Sequence, residues 1–230
     1  MPYNTNMFTK KYQNPVLNTR CKEFEVNNWI ISKFVLKELV PIVSVKPYPL
    51  NELMLMTATV CQLKPTHIFE WGTHLGKSAR IFYEIAKHFS TSSEIHSVDL
   101  PNHVRHKEHP GILRGLFVKT ISEVKLHQGD GLDTSLALYQ NFKDLGTNVR
   151  PLFFLDGDHG FHSVKRELKG IIKSAPEAWI LVHDTFFQSS QSGYNTSPYR
   201  AIQTVLRKTP NKYKVLSTNT GLPGMTLMYH

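Results

Sequence analysis

The rhythm of hydrophobic positions changes near residue 65. Before it, Phe24, Trp29, Ile30, Phe34, Val35, Leu36 and Leu39 recur at helical spacing and predict a helix over 23–40, closed by Pro41. KPYPL at 46–50 reads as a turn, and 51–63 as a second helix with Asn51 as its cap. Residues 1–22, rich in Asn, Thr, Lys and Tyr, read as loosely ordered. After residue 65, short apolar runs alternate with helical stretches. Strands are predicted at 66–72, 94–100, 124–130, 150–160 and 178–185, and helices at about 76–89, 162–174 and 199–208. The runs 212–218 and 224–230 flank a TGLPG turn, and so short a turn makes that pair antiparallel. The pattern predicts an α/β chain: a mostly parallel, seven-stranded sheet with a C-terminal antiparallel pair and an N-terminal helical extension. The expected division is 1–64 for the extension, serving as a lid or a dimer contact between copies, and 65–230 for the sheet domain.

Composition narrows the class. Lys and Arg number 27 against 18 Asp and Glu, a formal charge of +9 over 230 residues. A hydrophobic share of 40% excludes a disordered polymer or a fibre. The excess lies at the ends: net +4 over 1–66, zero over 67–149 and +5 over 150–230. With no arginine-rich arm, so dispersed an excess argues against a nucleic-acid partner without removing it. Cys21 and Cys61 are too few for a disulfide scaffold. The polar N-terminus has no signal-peptide core, and no apolar window spans a bilayer, so the expectation is a soluble, cytoplasmic protein with no membrane partner.

Ligands of open α/β sheets bind at the carboxyl ends of the strands. Here those ends carry Glu70, Asp99, Asp130, then Asp156 with Asp158 and His159, then His183 with Asp184. Acids there are costly unless they meet water, a ligand or a metal. The first loop, Glu70-Trp-Gly72-Thr73-His-Leu-Gly76-Lys-Ser78, has glycines for close approach and a Ser for the first helical turn. It lacks the second Gly of a dinucleotide fingerprint, where His74 stands, and the spacing of a Walker A loop. Asp99 follows Gly72 by 27 residues, where a ribose-binding acid is expected. Asp130, on the neighbouring strand, is within reach of an adenine amino group. Loop, Asp99 and Asp130 together point to an adenosine site.

From about 66 to 230 the chain resembles the class I S-adenosylmethionine-dependent methyltransferases, with HIFEWGTHLGKS, SVDLP and HQGDGLD as their first three motifs. The segment from PLFFLDGDHGFHS to WILVHDT resembles a narrower group, the metal-dependent O-methyltransferases of macrocin and mycinamicin type with cephalosporin-hydroxylase-like proteins. The resemblance implies a Rossmann-like, doubly wound fold and S-adenosylmethionine as cofactor. It implies that Glu70, Gly72, Thr73, Gly76 and Ser78 line the methionine end, that Asp99 holds the ribose, and that Asp130 and Asp156 also border the cofactor. It further implies a divalent cation, Mg²⁺ first, on Asp156, His183 and Asp184, and His159 as general base. Position 183 departs from the group, which often has Glu there; an imidazole favours Mn²⁺, Fe²⁺ or Zn²⁺ over Mg²⁺.

The chemistry agrees with this assignment. An aliphatic hydroxyl has a very high pKa, so methylation needs help with its proton. A divalent cation lowers that pKa, and a nearby His accepts the proton near neutral pH. The expected substrate is a small hydroxylated metabolite of sugar or natural-product type. The rival readings are an RNA methyltransferase using the basic ends, and a non-catalytic cofactor-binding partner subunit. His103, His106 and His109 read as part of a cover loop, Lys165, Arg166, Lys169 and Lys173 as a solvated helix face, and 188–200 as a substrate-contacting loop.

Overall fold

A computed structural model describes residues 23–104, 106, 110–191 and 193–230. Residues 1–22, with Cys21, and His109 lie outside the described residues. The chain runs α1 (Asn28–Phe34), a π-helical turn (Val35–Leu39), α2 (Val40–Val43), α3 (Leu50–Leu63), β1 (His67–Trp71), α4 (Lys77–His88), β2 (Glu94–Asp99), β3 (Val124–Gln128), α5 (Gly131–Asp144), β4 (Pro151–Leu155), α6 (Phe161–Ser174), β5 (Trp179–His183), α7 (Ser197–Lys208), β6 (Lys214–Ser217) and β7 (Met225–Tyr229).

The seven strands order β3-β2-β1-β4-β5-β7-β6. β3 through β5 pair in parallel, and β7 runs antiparallel to both β5 and β6. This is the doubly wound sheet with an antiparallel C-terminal pair expected from the pattern. Parallel strands are buried on both faces, and their successive side chains divide between two cores. Ile68, Leu152, Phe154 and Leu181 join one cluster with Ile31, Leu39, Leu53, Ile81 and Phe82 from the N-terminal helices and α4. Phe69, Phe153, Leu155 and Ile180 join the other with Leu132, Leu168 and Ile202 from α5, α6 and α7. The chain reverses order between β1 and β4, which opens a crevice at their carboxyl ends.

Three local expectations change. Pro41 does not end the first helix, which continues to Val43. A proline ring clashes with the carbonyl four residues back in an α-helix. The wider turn over Val35–Leu39, where the Val40 N–H reaches Val35 O, accommodates it. Asn51 is not the cap of α3, which starts at Leu50 after Pro49. The sequence reading has no element between 131 and 149, yet α5 lies there, burying Leu132, Ser135 and Tyr139 at helical spacing. The N-terminal helices share the core of the sheet face they cover. Among the described residues, no helix is long and apolar enough to cross a membrane.

Candidate functional site

The first loop is built around two glycines. Gly72 has φ +93°, and a Cβ there would lie 2.1 Å from the Asp156 carbonyl oxygen. Only glycine lets the β1 loop lie against the end of β4. Gly76 caps α4 in the left-handed region. Glu70 is buried beneath this loop. Its Oε1 accepts from Ser97 Oγ at 2.6 Å, and Ser97 Oγ lies 2.6 Å from Thr73 Oγ1. Its Oε2 is buried without a hydrogen-bond partner among the described residues. Burial pushes the Glu70 carboxyl up to about 7, against the Ser97 and Ser78 hydroxyls, which lower it. Ser78 is itself buried, and its hydroxyl lowers the pKa of Glu70 and of Tyr48.

Asp99, at the end of β2, accepts from the His74 N–H (3.0 Å) and the Leu100 N–H (2.8 Å). Arg114 Nε stands 3.3 Å from Asp99 Oδ2, and the same guanidinium holds Asn102 Oδ1 and Leu100 O. Arg114 is buried, and no motif in the sequence marks it. Asp130 is more heavily engaged. It caps α5 by accepting from the Asp133 N–H and takes a two-pronged contact from Arg166 at 2.9 and 3.1 Å. That guanidinium, with the cap, holds the Asp130 carboxyl below its usual range. Arg166 is therefore not merely part of a solvated face.

A second group forms where β4 and β5 end. Asp156 follows β4, His183 ends β5, and Asp184 comes next at φ +57°. Neighbours along a strand face opposite ways; the left-handed turn at Asp184 ends that alternation and brings both residues into one cluster. His183 Nδ1 lies 2.7 Å from Asp156 Oδ1 and 3.8 Å from Asp184 Oδ1, and its Nε2 lies 3.1 Å from Glu52 Oε2. Burial alone pulls the His183 pKa down; the Asp156 charge and the Asp156 and Glu52 hydrogen bonds outweigh it and hold it up to about 10. Tyr48 donates to Asp156 Oδ2 at 2.5 Å, and Tyr194 donates to Asp184 Oδ1. His159 Nδ1 stands 3.2 Å from Asp184 Oδ2, with Nε2 3.9 Å from Asp156 Oδ1. Asp158 instead caps locally, accepting from the Gly160 N–H.

Glu52 and Tyr48 were not among the candidates read from sequence. Glu52 is fully buried in α3, its other oxygen accepting from the Gly224 N–H at 2.8 Å. A charged residue on a buried helix face is the one available signal, since such residues are almost never buried unpaired. The loop after β5 does reach the group, through Tyr194 and through Asn195, which donates to the His159 carbonyl.

The donor set suits a divalent cation. Ligand atoms of Asp156, His183 and Asp184 lie within 4.8 Å of one another. Among the described residues, the ion pairs of Glu52, Asp156 and Asp184 are with histidines, never with Lys or Arg. Three acids meeting one protonated His183 and no lysine or arginine leave net negative charge that a cation would offset.

The family described as a methyltransferase domain matches residues 69–185. No curated protein matches the chain. Among solved structures, a cofactor-bound protein from MTB is similar at TM-score 0.56 and 14% identity, over 88% of this chain and 87% of that one. An SAH-bound methyltransferase from Podospora anserina is similar at TM-score 0.54 and 17% identity, over 88% and 86%. An O-methyltransferase from Bacillus cereus in complex with SAH is similar at TM-score 0.52 and 17% identity, over 88% and 90%. At these identities the likeness is one of fold.

Proposed function

The chain belongs to the methyltransferase-domain family, and from that premise we propose that it moves the methyl group of S-adenosylmethionine to a hydroxyl of a small metabolite of sugar or natural-product type. The observation that carries this is the contact of Gly72 with Asp156, because it sets the cofactor loop directly beside His159 and the β4–β5 acids. The SAH held by the Podospora and Bacillus neighbours supports the choice of cofactor.

The residues fit that cofactor. The orphaned Glu70 Oε2 suits the ammonium of its methionine end, and Asp99, steadied by Arg114, suits the ribose hydroxyls. Asp156, His183 and Asp184 are the residues that would hold a divalent cation. When bound, S-adenosylmethionine supplies an electrophilic methyl on a sulfonium sulfur, and the cation supplies a lower hydroxyl pKa.

The proton is handled by His159. A carboxylate only accepts, so the contact with Asp184 Oδ2 puts the ring proton on Nδ1 and leaves the Nε2 lone pair free. Nε2 is then the atom that takes the substrate proton, and Asp184 offsets the imidazolium that results. Tyr194, from the segment after β5, fixes Asp184 from the other side. That segment, with its polar Asn195, forms the substrate-side wall.

The test is calorimetry of the full chain with S-adenosylmethionine, with and without Mg²⁺ or Mn²⁺, followed by labelled methyl transfer to a panel of hydroxyl compounds. Cofactor binding with transfer to oxygen is expected. Absence of cofactor binding would falsify the reading.

A further inference from the structure

We infer that His183, backed by Glu52, makes the β4–β5 centre a nitrogen-bearing site that selects a borderline transition ion such as Mn²⁺, Fe²⁺, Co²⁺ or Zn²⁺ over Mg²⁺. The inference rests on the proposed reading for the place of the cation beside the cofactor, but it makes its own claim about which ion and which residues.

Metal-binding side chains are commonly held from behind by a second polar group, which fixes their orientation and raises their basicity. Each of the three candidate ligands has such a group. Tyr48 donates to Asp156 Oδ2 at 2.5 Å, Tyr194 donates to Asp184 Oδ1, and Glu52 Oε2 faces His183 Nε2 at 3.1 Å. The last arrangement is a carboxylate–histidine pair that turns Nδ1 toward Asp156 and Asp184, where the proton it shares with Asp156 Oδ1 would leave on ion binding. Glu52 is not itself a free ligand, because its other oxygen is tied to the Gly224 N–H and its side chain is fully buried.

Mg²⁺ demands oxygen ligands in a near-ideal octahedron and keeps several waters. An imidazole nitrogen in the set shifts preference along the transition series, where affinity for nitrogen rises. Glu52 strengthens that shift by making the imidazole a better donor. It is a positioning residue acting through His183, and it comes from α3, before the sheet begins. Tyr48 lies in the same N-terminal segment, so two of the three supporting groups come from residues 48–52.

The experiment uses the full chain, stripped by chelator and loaded separately with Mg²⁺, Mn²⁺, Co²⁺ and Zn²⁺. Wild type should bind Mn²⁺ or Co²⁺ about tenfold or more tighter than Mg²⁺. Pulsed EPR of the Mn²⁺-loaded protein should show coupling to an imidazole nitrogen. His183→Glu should lose that coupling and narrow the preference toward Mg²⁺. Glu52→Gln should keep the coupling yet weaken transition-ion binding by about tenfold, with Mg²⁺ little changed; Glu52→Asp should restore part of the loss. The wild-type nitrogen signal decides the matter even if a variant fails to fold. Mn²⁺ bound without nitrogen coupling, Mg²⁺ bound as tightly as Mn²⁺, or no binding of any of the four ions overturns the inference. S-adenosylmethionine titrated into the same samples keeps the two ideas apart. Cofactor binding without ion binding sinks only this inference, and ion preference without cofactor binding sinks only the proposed function.

Discussion

The acids at the ends of β2 and β3 and those at the ends of β4 and β5 are held in opposite ways. Asp99 has Arg114 and Asp130 has Arg166, so the first region carries its own positive charge. Glu52, Asp156 and Asp184 share histidines and tyrosines instead. An acid neutralised by a built-in guanidinium is rigid and suits neutral hydroxyl groups. Acids that meet only titratable or neutral partners keep net negative charge, which suits a cation and a proton acceptor. On the proposed reading, one edge of one sheet thus divides into a half that holds the cofactor and a half that does the chemistry.

The largest effect that would break this division is at His159. His159→Ala should lower methyl transfer by about 10² to 10⁴-fold while leaving S-adenosylmethionine affinity unchanged. Loss of cofactor binding in that variant would mean the halves are not separate. Next, Glu52→Ala removes one side of a buried charged pair and strands the Gly224 N–H, and should cost about 3–5 kcal/mol in denaturant unfolding. A cost near zero would show that the His183 cluster is not coupled to α3.

Asp99→Asn should weaken cofactor binding by about 1.5–3 kcal/mol, read by calorimetry, without abolishing transfer at saturating cofactor. The pH dependence sharpens the role of Glu70. Its folded carboxyl titrates near 7, above the ordinary value. An ammonium group binds the ionised form, so below pH 7 binding must expel a proton. Affinity should therefore rise by about tenfold per pH unit up to about 7 and level off above it, and Glu70→Gln should flatten the profile. The smallest effect is expected at Asp130. Asp130→Asn loses the Arg166 ion pair but keeps a capping residue, for about 1 kcal/mol or less of stability. A tenfold loss of cofactor affinity there would place Asp130 at the adenine, as expected from sequence.

The holding half was the more legible in the sequence. Strand ends, the Gly72 turn and the Asp99 spacing are local signals, and the parallel order follows from alternation. Arg114 escaped because its contact with Asp99 is made by a loop with no periodic pattern. Asp130 marks a strand end correctly, but the same residue also opens α5, and that helix has no clear signal in the sequence. The chemical half was legible only where β4 and β5 end, in DGDH and HDT. Glu52 meets His183 across 131 positions, and Tyr48 meets Asp156 across 108, so only the packing of α3 on the sheet brings them together. Pro41 shows the same limit at smaller scale: a proline forbids an ordinary helical turn, and tertiary packing supplied a wider one.

Calorimetric titration of S-adenosylmethionine into the wild-type chain and into a Glu70→Gln, Asp99→Asn double variant tests the central claim most directly. The account predicts saturable one-to-one binding to the wild type and binding too weak to detect in the double variant. No heat with the wild type, or equal affinity in both proteins, would contradict it.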